Sequence, residues 1–316
     1  MAAVIPTAPL GTRGAEVTRI GLGCAPLGNL FTALADDDAT ATIGAAWDAG
    51  IRFFDTAPLY GHGLSEQRLG RGLQKYPRDS FVVSSKVGRV LKPDPDFDPG
   101  VFRVSRGLAP QFDYSRDGVL RSIEESLGRL GLDRLDIVLV HDPDDHEREA
   151  LDGAFPALLE LRDQGVVRAV GAGMNQHEML DRFVTQVDLD CVLLAGRYTL
   201  LDRTGAALLD VCAVRGVGVI LGGVFNSGIL ANVDGHTTFD YEPASAAMIE
   251  RAAVLRAVCD RHEVSLPAAA LGFALRRRAV SAVVVGARTA DEIRADVAWA
   301  QTPVPPALLD ELDAIA

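Results

Sequence analysis

The sequence predicts an α/β fold, a (β/α)8 TIM barrel filling a single domain over residues 1–316. Eight short apolar runs recur along the chain, separated by longer amphipathic segments. The runs are almost unbroken in apolar character, the pattern of parallel strands covered on the outside by helices. A doubly wound open sheet is the second architecture compatible with this alternation.

The elements follow in order. "PLGTRGAEVTRIGLG" carries turn residues and predicts a small hairpin closing the barrel bottom before the first strand, 19–23. "DDATATIGAAWDAG" reads as a helix from an aspartate cap at Asp36–Asp38 to a terminal glycine. "RFFD" (52–55) is strand two, and Ser65 is placed to cap the helix "SEQRLGRGLQ". "FVVSSK" (81–86) is strand three. The stretch 87–115 that follows reads as a long structureless loop in the position of a lid. "DGVLRSIEESLGRLG" leads into "DIVLVH" (136–141), and "EREALDGAFPALLELRDQG" into "RAVGAG" (168–173). "CVLLAG" (191–196) and "GVGVILGG" (216–223) flank the helix "TGAALLDVCAVRG". A helical segment at 245–262, the strand "AVVVG" (282–286) and the helix "TADEIRADVAWA" complete the series.

Bulk properties narrow the function. A net charge of −12 argues against nucleic acid and anionic membrane surfaces as partners and leaves a small-molecule substrate. No signal-peptide pattern or bilayer-length apolar run is visible, so the expected location is the cytoplasm. Cys24, Cys191, Cys212 and Cys259 lie far apart among apolar neighbours and read as buried free thiols. Neither "GLGCAPLG" nor "GAGMNQ" has the G-x-G-x-x-G spacing of a dinucleotide loop. "DPDFDPG" lacks the glycine and closing glutamate positions of a calcium loop. His141 and His146 beside Asp142, Asp144 and Asp145 read as one functional histidine followed by a solvated acidic loop, with no metal. Trp47 and Trp299 read as helix packing. Nothing in the sequence fixes the oligomeric state.

Active sites on this architecture lie at the C-terminal ends of the strands. Strand two ends in Asp55 and is followed by Tyr60, strand three ends in Lys86, and strand four ends in His141. An ionisable group ending an apolar strand is costly unless paired, so these four together point to a site. Their chemistry suits proton transfer to or from an alcohol or carbonyl oxygen. The lysine ammonium is expected to lower the tyrosine pKa, and the carboxylate to hold the lysine charged and oriented. A neutral histidine can donate to a substrate oxygen. The set holds no electron acceptor, so a redox reaction here needs a cofactor.

On these residues the chain resembles the aldo-keto reductase family over nearly its whole length. The segments "GLGCAPLG", "FFDTAPLYGHGLSEQRLG", "SSKVGR", "LDIVLVHDPD" and "GVVRAVGAGMNQ" carry the resemblance in order and spacing. It implies Asp55, Tyr60, Lys86 and His141 as a catalytic tetrad. Tyr60 would be the general acid/base, Lys86 and Asp55 would tune it, and His141 would orient the carbonyl. The family transfers hydride to or from NAD or NADP without metal. "FDYSRDGVLRSIEESLGRLGLDRLDIVLVHDPD", "LLAGRYTLLDR" and "GGVFNSGIL" resemble a branch that oxidises hemiacetal-forming aldehydes to lactones. This implies aldoses of the L-fucose and D-arabinose type as the leading substrate class, then pyridoxal, then general aldehyde reduction. A non-catalytic cofactor-sensing subunit is the reading from a different class.

The same resemblance assigns the cofactor contacts. Asn175 would bind the nicotinamide carboxamide, although Met174 and Ala195 replace a serine and a glutamine usual in the family. The aromatic that stacks on nicotinamide aligns near Gly222, with Phe225 as its substitute. Asn226, Ser227 and Gly228 would wrap the pyrophosphate, while Gly286, Ala287 and Arg288 begin an adenosine-binding segment that includes Glu292 and Asp296. Glu292 stands where NADP-preferring members place an arginine; a carboxylate repels a 2′-phosphate and accepts from a free ribose diol. NAD is therefore the expected cofactor, with Arg288 as the argument for NADP. His62 and Tyr114 are the candidate substrate contacts.

Overall fold

The computed structural model describes residues 5–13, 15–231 and 238–315. Eight parallel strands close into a barrel: β3 (Ile20–Gly23), β4 (Phe53–Asp55), β5 (Val82–Val87), β8 (Ile137–His141), β9 (Ala169–Met174), β10 (Cys191–Ala195), β11 (Gly218–Gly222) and β14 (Val280–Gly286). Each pairs with its sequence neighbours, and β14 closes onto β3 through Val283↔Ile20 and Gly286↔Gly23. The hairpin β1 (Thr7–Pro9) and β2 (Glu16–Thr18) precedes the barrel, as its turn residues predict.

Period-two alternation splits the strand side chains into two cores. Phe53, Val82, Ile137, Leu139, Ala169, Cys191, Leu193, Ile220, Ala282 and Val284 fill the barrel interior, with Leu10 and Val17 of the hairpin region packed among them. Phe54, Val83, Val138, Val140, Val170 and Val192 face outward into the layer shared with the helices. Extending this alternation upward puts Asp55 above Phe53, Ser84 and Lys86 above Val82, and His141 above Leu139. The interior series of three adjacent strands thus ends in ionisable groups.

The outer layer contains α1 (Asp36–Asp48), α2 (Leu64–Leu73), α3 (Arg116–Leu130), α4 (Glu147–Glu149), α5 (Phe155–Asp163), α6 (Glu178–Gln186), α7 (Ala206–Arg215), α8 (Ala246–Arg261), α9 (Leu266–Leu275), α10 (Ala290–Gln301) and α11 (Pro306–Ala314). Ser115 caps α3 by accepting from the Gly118 amide at 3.1 Å, and Gly131 ends it at φ 65°. Two predicted caps differ. Ala35 is the N-cap of α1, with Asp36–Asp38 in its first turn, where Asp36 pairs with Arg68 at 2.8 Å. Gly63 caps α2; Ser65 lies inside it and donates to the Cys24 carbonyl at 2.7 Å. A π turn at Ala150–Ala154 separates α4 from α5 just before Pro156, which has no amide proton to donate. Among the described residues no helix is long and apolar enough to cross a membrane. All four cysteines are free and buried.

The stretch 87–115 is not structureless. It forms an antiparallel hairpin, β6 (Arg89–Asp94) and β7 (Gly107–Phe112), in register from Arg89↔Phe112 to Asp94↔Gly107. Its tip returns to the loop after β3: Leu30 bridges Phe102, and the Phe31 amide donates to the Val101 carbonyl at 2.8 Å. A smaller hairpin, β12 (Thr238–Phe239) with β13 (Glu242–Pro243), turns at Asp240 and Tyr241, both at positive φ. This turn reaches the loop after β3 over the barrel mouth, where the Phe31 and Tyr241 ring centroids stand 5.6 Å apart.

Candidate active site

The strand ends bring Asp55, Lys86, Tyr60 and His141 together. Lys86 Nζ donates to Asp55 Oδ2 at 2.8 Å, to the Thr56 carbonyl at 3.0 Å and to Tyr60 Oη at 3.1 Å. Ser84, paired with Asp55 across the β4–β5 ladder, donates to Asp55 Oδ1 at 2.6 Å. The His141 ring stands edge-on to Tyr60, with centroids 5.8 Å apart.

The glycine-flanked turn after β4 delivers Tyr60. Residues 57–65 wind through consecutive backbone hydrogen bonds, Tyr60 to Ala57, His62 to Leu59 and Gly63 to Pro58. Gly61 adopts φ 62° and packs so closely on Gly28 that a Cβ would lie 2.4 Å from the Gly28 carbonyl oxygen. The substitution-intolerant contact pins the turn against the loop after β3.

Electrostatics assign different states to Tyr60, Lys86 and His141. Burial pushes the Tyr60 hydroxyl well above the usual tyrosine range; the Lys86 ammonium pulls downward and does not prevail. The expected lowering of the tyrosine pKa is therefore corrected: the buried phenol is protonated, and Lys86 limits the rise rather than reversing it. Burial opposes the charge on Lys86, but Asp55 and Tyr60 outweigh it and hold the ammonium above its ordinary range. Burial, aided by Lys86 and Arg89, holds His141 well below the usual histidine range, leaving a neutral ring.

Tyr60, Lys86 and His141 line a cavity of about 250 Å³ together with Ala25, Leu30, Phe31, Leu59, Val101, Phe102, Gly173, Met174, Asn175, Leu193, Ala195, Tyr241 and Asp142, and Asp55 lies just behind Lys86. Aromatic and aliphatic side chains from the loop after β3, the 87–115 hairpin tip and the β12–β13 turn form one wall, and the ionisable groups form the floor. Asp142 was masked in the sequence by its neighbours, which read as a solvated acidic loop. Its carboxylate lies 3.5 Å from His141 Nε2 and 3.3 Å from an Arg89 amino nitrogen. Burial pushes it up to about 6, against the pull of Arg89.

The two candidate substrate contacts stand outside this lining. Tyr114 is buried behind the site, and its hydroxyl donates to the carbonyls of His141 at 2.8 Å and Asp142 at 3.1 Å. Its ring occupies the space beside Gly88, where a Cβ would come within 2.1 Å of it. His62 is held under the hairpin tip against Phe97 and Phe102, at centroid distances of 5.5 and 6.2 Å, and burial lowers its pKa. Tyr114 thus supports the His141–Asp142 backbone, and His62 packs beneath Phe102, one residue behind the cavity wall.

Of the predicted cofactor residues, Asn175 lines the cavity beside Met174 and Ala195. Phe225 is not part of that lining. It packs edge-on against Trp299 of α10, with centroids 6.0 Å apart. Asn226, Ser227 and Gly228 form a tight turn after β11, with φ 45°, 59° and 111°. Asn226 Oδ1 is buried without a hydrogen-bond partner, and a Cβ on Gly228 would meet nothing within 4 Å. Gly286, Ala287 and Arg288 leave the neighbouring strand β14 into α10, where Glu292 accepts from the Arg288 amide at 2.7 Å and faces its guanidinium at 3.7 Å. Asp296 is buried, and burial followed by the nearby Glu292 raises its carboxyl to about 7. An unpartnered buried amide oxygen beside an open glycine, in the turn after β11, offers an acceptor to a ribose hydroxyl and room for an elongated polar cofactor lying across the rim.

Comparisons with known proteins agree with this arrangement. The model of the aldo/keto reductase family matches residues 19–316. The chain is 43% identical to D-threo-aldose 1-dehydrogenase of a Pseudomonas species over 311 residues, covering 95% of this chain and 94% of that protein. It is 41% identical to pyridoxal 4-dehydrogenase of Microbacterium luteolum over 319 residues, covering 94% and 93%. The solved holo form of aldo-keto reductase AKR11C1 from Bacillus halodurans superposes with a TM-score of 0.76 at 24% identity, covering 99% of this chain and 96% of that one; this likeness concerns the fold.

Proposed function

The chain belongs to the aldo/keto reductase family, oxidoreductases acting on carbonyl and alcohol groups, and from that premise we propose that it oxidises the cyclic hemiacetal of an aldose to a lactone with NAD. The observation that carries this reading is the Asp55–Lys86–Tyr60 chain of contacts on the cavity floor, with neutral His141 beside it. The anomeric hydroxyl would sit between Tyr60 Oη and His141 Nε2. A dinucleotide held by these residues would supply the hydride acceptor for oxidation at sugar C1. In this direction Tyr60 first gives up its own proton to solvent, and the resulting phenolate oxygen would take the hydroxyl proton as the C1–O bond becomes a carbonyl. Lys86 stabilises the phenolate form that receives it, and Asp55 holds Lys86 in place. His141 keeps the reacting oxygen directed at Tyr60.

The resident residues also support NAD over NADP. The Glu292 carboxylate stands beside Arg288, so the guanidinium is already engaged, and a 2′-phosphate would meet a negative charge. On this reading Asn175 of the cavity wall would meet the nicotinamide end, Asn226–Gly228 the pyrophosphate, and Gly286–Asp296 the adenosine.

The wall formed by Phe31, Phe102 and Tyr241 favours one second reading, because aromatic faces also accept a flat heteroaromatic ring such as pyridoxal. Rates of NAD and NADP reduction with L-fucose, D-arabinose, L-galactose, pyridoxal and simple alcohols separate the two. Aldoses with NAD should give the highest kcat/KM. A preference for pyridoxal would install the second reading, and preference for simple alcohols would overturn both.

A further inference from the structure

We infer that Asp142, steered by Arg89 and Tyr114, is a specificity residue that accepts a hydrogen bond from a hydroxyl on the carbon next to the reacting one. The inference deepens the proposed aldose reading and rests on its placement of the reacting oxygen.

Asp142 follows His141 directly and lines the same cavity. Its Oδ2 lies 3.5 Å from His141 Nε2, the atom that would hold the reacting oxygen. A hydroxyl on the adjacent carbon therefore falls within reach of the carboxylate when the reacting oxygen sits at His141. Ionised carboxylates have several acceptor sites and no donor, so this group selects a hydroxyl over a carbonyl or an ether.

Much of the surrounding structure is spent on aiming this one side chain. Asp142 has φ 38°, a conformation that L residues with a Cβ rarely adopt. Its amide donates to the Gly173 carbonyl at 3.1 Å, and the Tyr114 hydroxyl secures the carbonyls on both sides of the His141–Asp142 peptide. Tyr114 can occupy that place because Gly88 has no side chain. The next residue, Arg89, reaches Asp142 at 3.3 Å while its guanidinium rests over the Phe112 ring at 4.9 Å. That single long contact leaves acceptor capacity on the carboxylate for a ligand. Gly88, Arg89, Phe112 and Tyr114 all belong to the 87–115 segment, which gives that insertion a purpose besides roofing the cavity.

The test compares substrate pairs that differ only in the adjacent hydroxyl: L-fucose against its 2-deoxy counterpart in oxidation with NAD, and lactaldehyde against propanal in reduction with NADH. The expected wild-type preference for the hydroxylated member is roughly 10- to 100-fold in kcat/KM, the range of a hydrogen bond to a charged group. Asp142→Asn should bring the ratio down toward unity. Arg89→Met, which leaves the cavity wall intact, should lower the same ratio by misdirecting the carboxylate. The inference is overturned by a wild-type ratio near unity in both pairs, or by a ratio that stays intact in Asp142→Asn. A hydroxyl preference confined to the aldehyde pair, with neither sugar turned over, would sustain the inference while removing the aldose reading.

Discussion

Lys86 Nζ lies 2.8 Å from Asp55 Oδ2 at the end of the barrel interior, and both side chains are almost closed to solvent. Two interior positions on adjacent parallel strands thus become a charged pair at the end of the apolar core. A buried pair of this kind adds little net stability, yet breaking it leaves an uncompensated charge. Its retention here is explained by the third contact, from Lys86 to Tyr60.

Replacing Lys86 by Met should therefore act twice. Stability should fall by about 3–5 kcal/mol, because Asp55 remains buried without its cation. Turnover should fall because nothing then stabilises the Tyr60 phenolate. Denaturant melts and steady-state kinetics check both, and an unchanged melt would show that Asp55 does not depend on Lys86.

Tyr114→Phe removes two hydrogen bonds to the His141 and Asp142 carbonyls while keeping the ring against Gly88. The chain should lose about 1 kcal/mol of stability. Since Tyr114 holds the backbone rather than the substrate, kcat should drop several-fold with a smaller change in KM. A rise in KM alone would place the hydroxyl in direct contact with substrate.

Glu292→Arg should invert the local charge at the adenosine end and free Arg288 from its present partner. The ratio of kcat/KM with NADP to that with NAD should rise at least roughly tenfold, a change of about 1.4 kcal/mol. An unchanged ratio would mean that the ribose lies elsewhere.

Asp296 supplies a pH signature. Burial, then Glu292, raises its folded pKa from the ordinary carboxylate range to about 7. The folded state therefore binds more protons across that window, so stability declines as pH rises through it. Asp296→Asn should remove the decline and stabilise the chain by roughly 1–3 kcal/mol near pH 8, with a smaller gain near pH 5. Thermal melts at the two pH values provide the readout; equal gains at both would assign the effect to packing.

The barrel was legible because its strands are short apolar runs, and their ends were legible because Asp55, Lys86 and His141 break that apolar pattern in the same register. Other features left weaker traces. α9 is buried on nearly every side, so it shows no amphipathic period, and α6 is short. The β6–β7 hairpin lies outside the barrel and alternates poorly, with Pro93 and Pro110 in its strands. Asp142 was hidden for a related reason: its shielding involves Arg89 of that hairpin, whereas Asp144 and Asp145 just beyond it are exposed. The tyrosine pKa was misjudged because a sequence shows a nearby lysine but not how completely both groups are removed from water.

The central claim is that Tyr60 carries the proton in a hydride transfer. Tyr60→Phe tests it most directly, with single-turnover NAD reduction and dinucleotide binding measured on the same preparation. Turnover should fall by roughly 10²–10⁴-fold while the dissociation constant for NAD stays within about twofold of wild type. Retention of wild-type turnover by the phenylalanine variant would contradict the account.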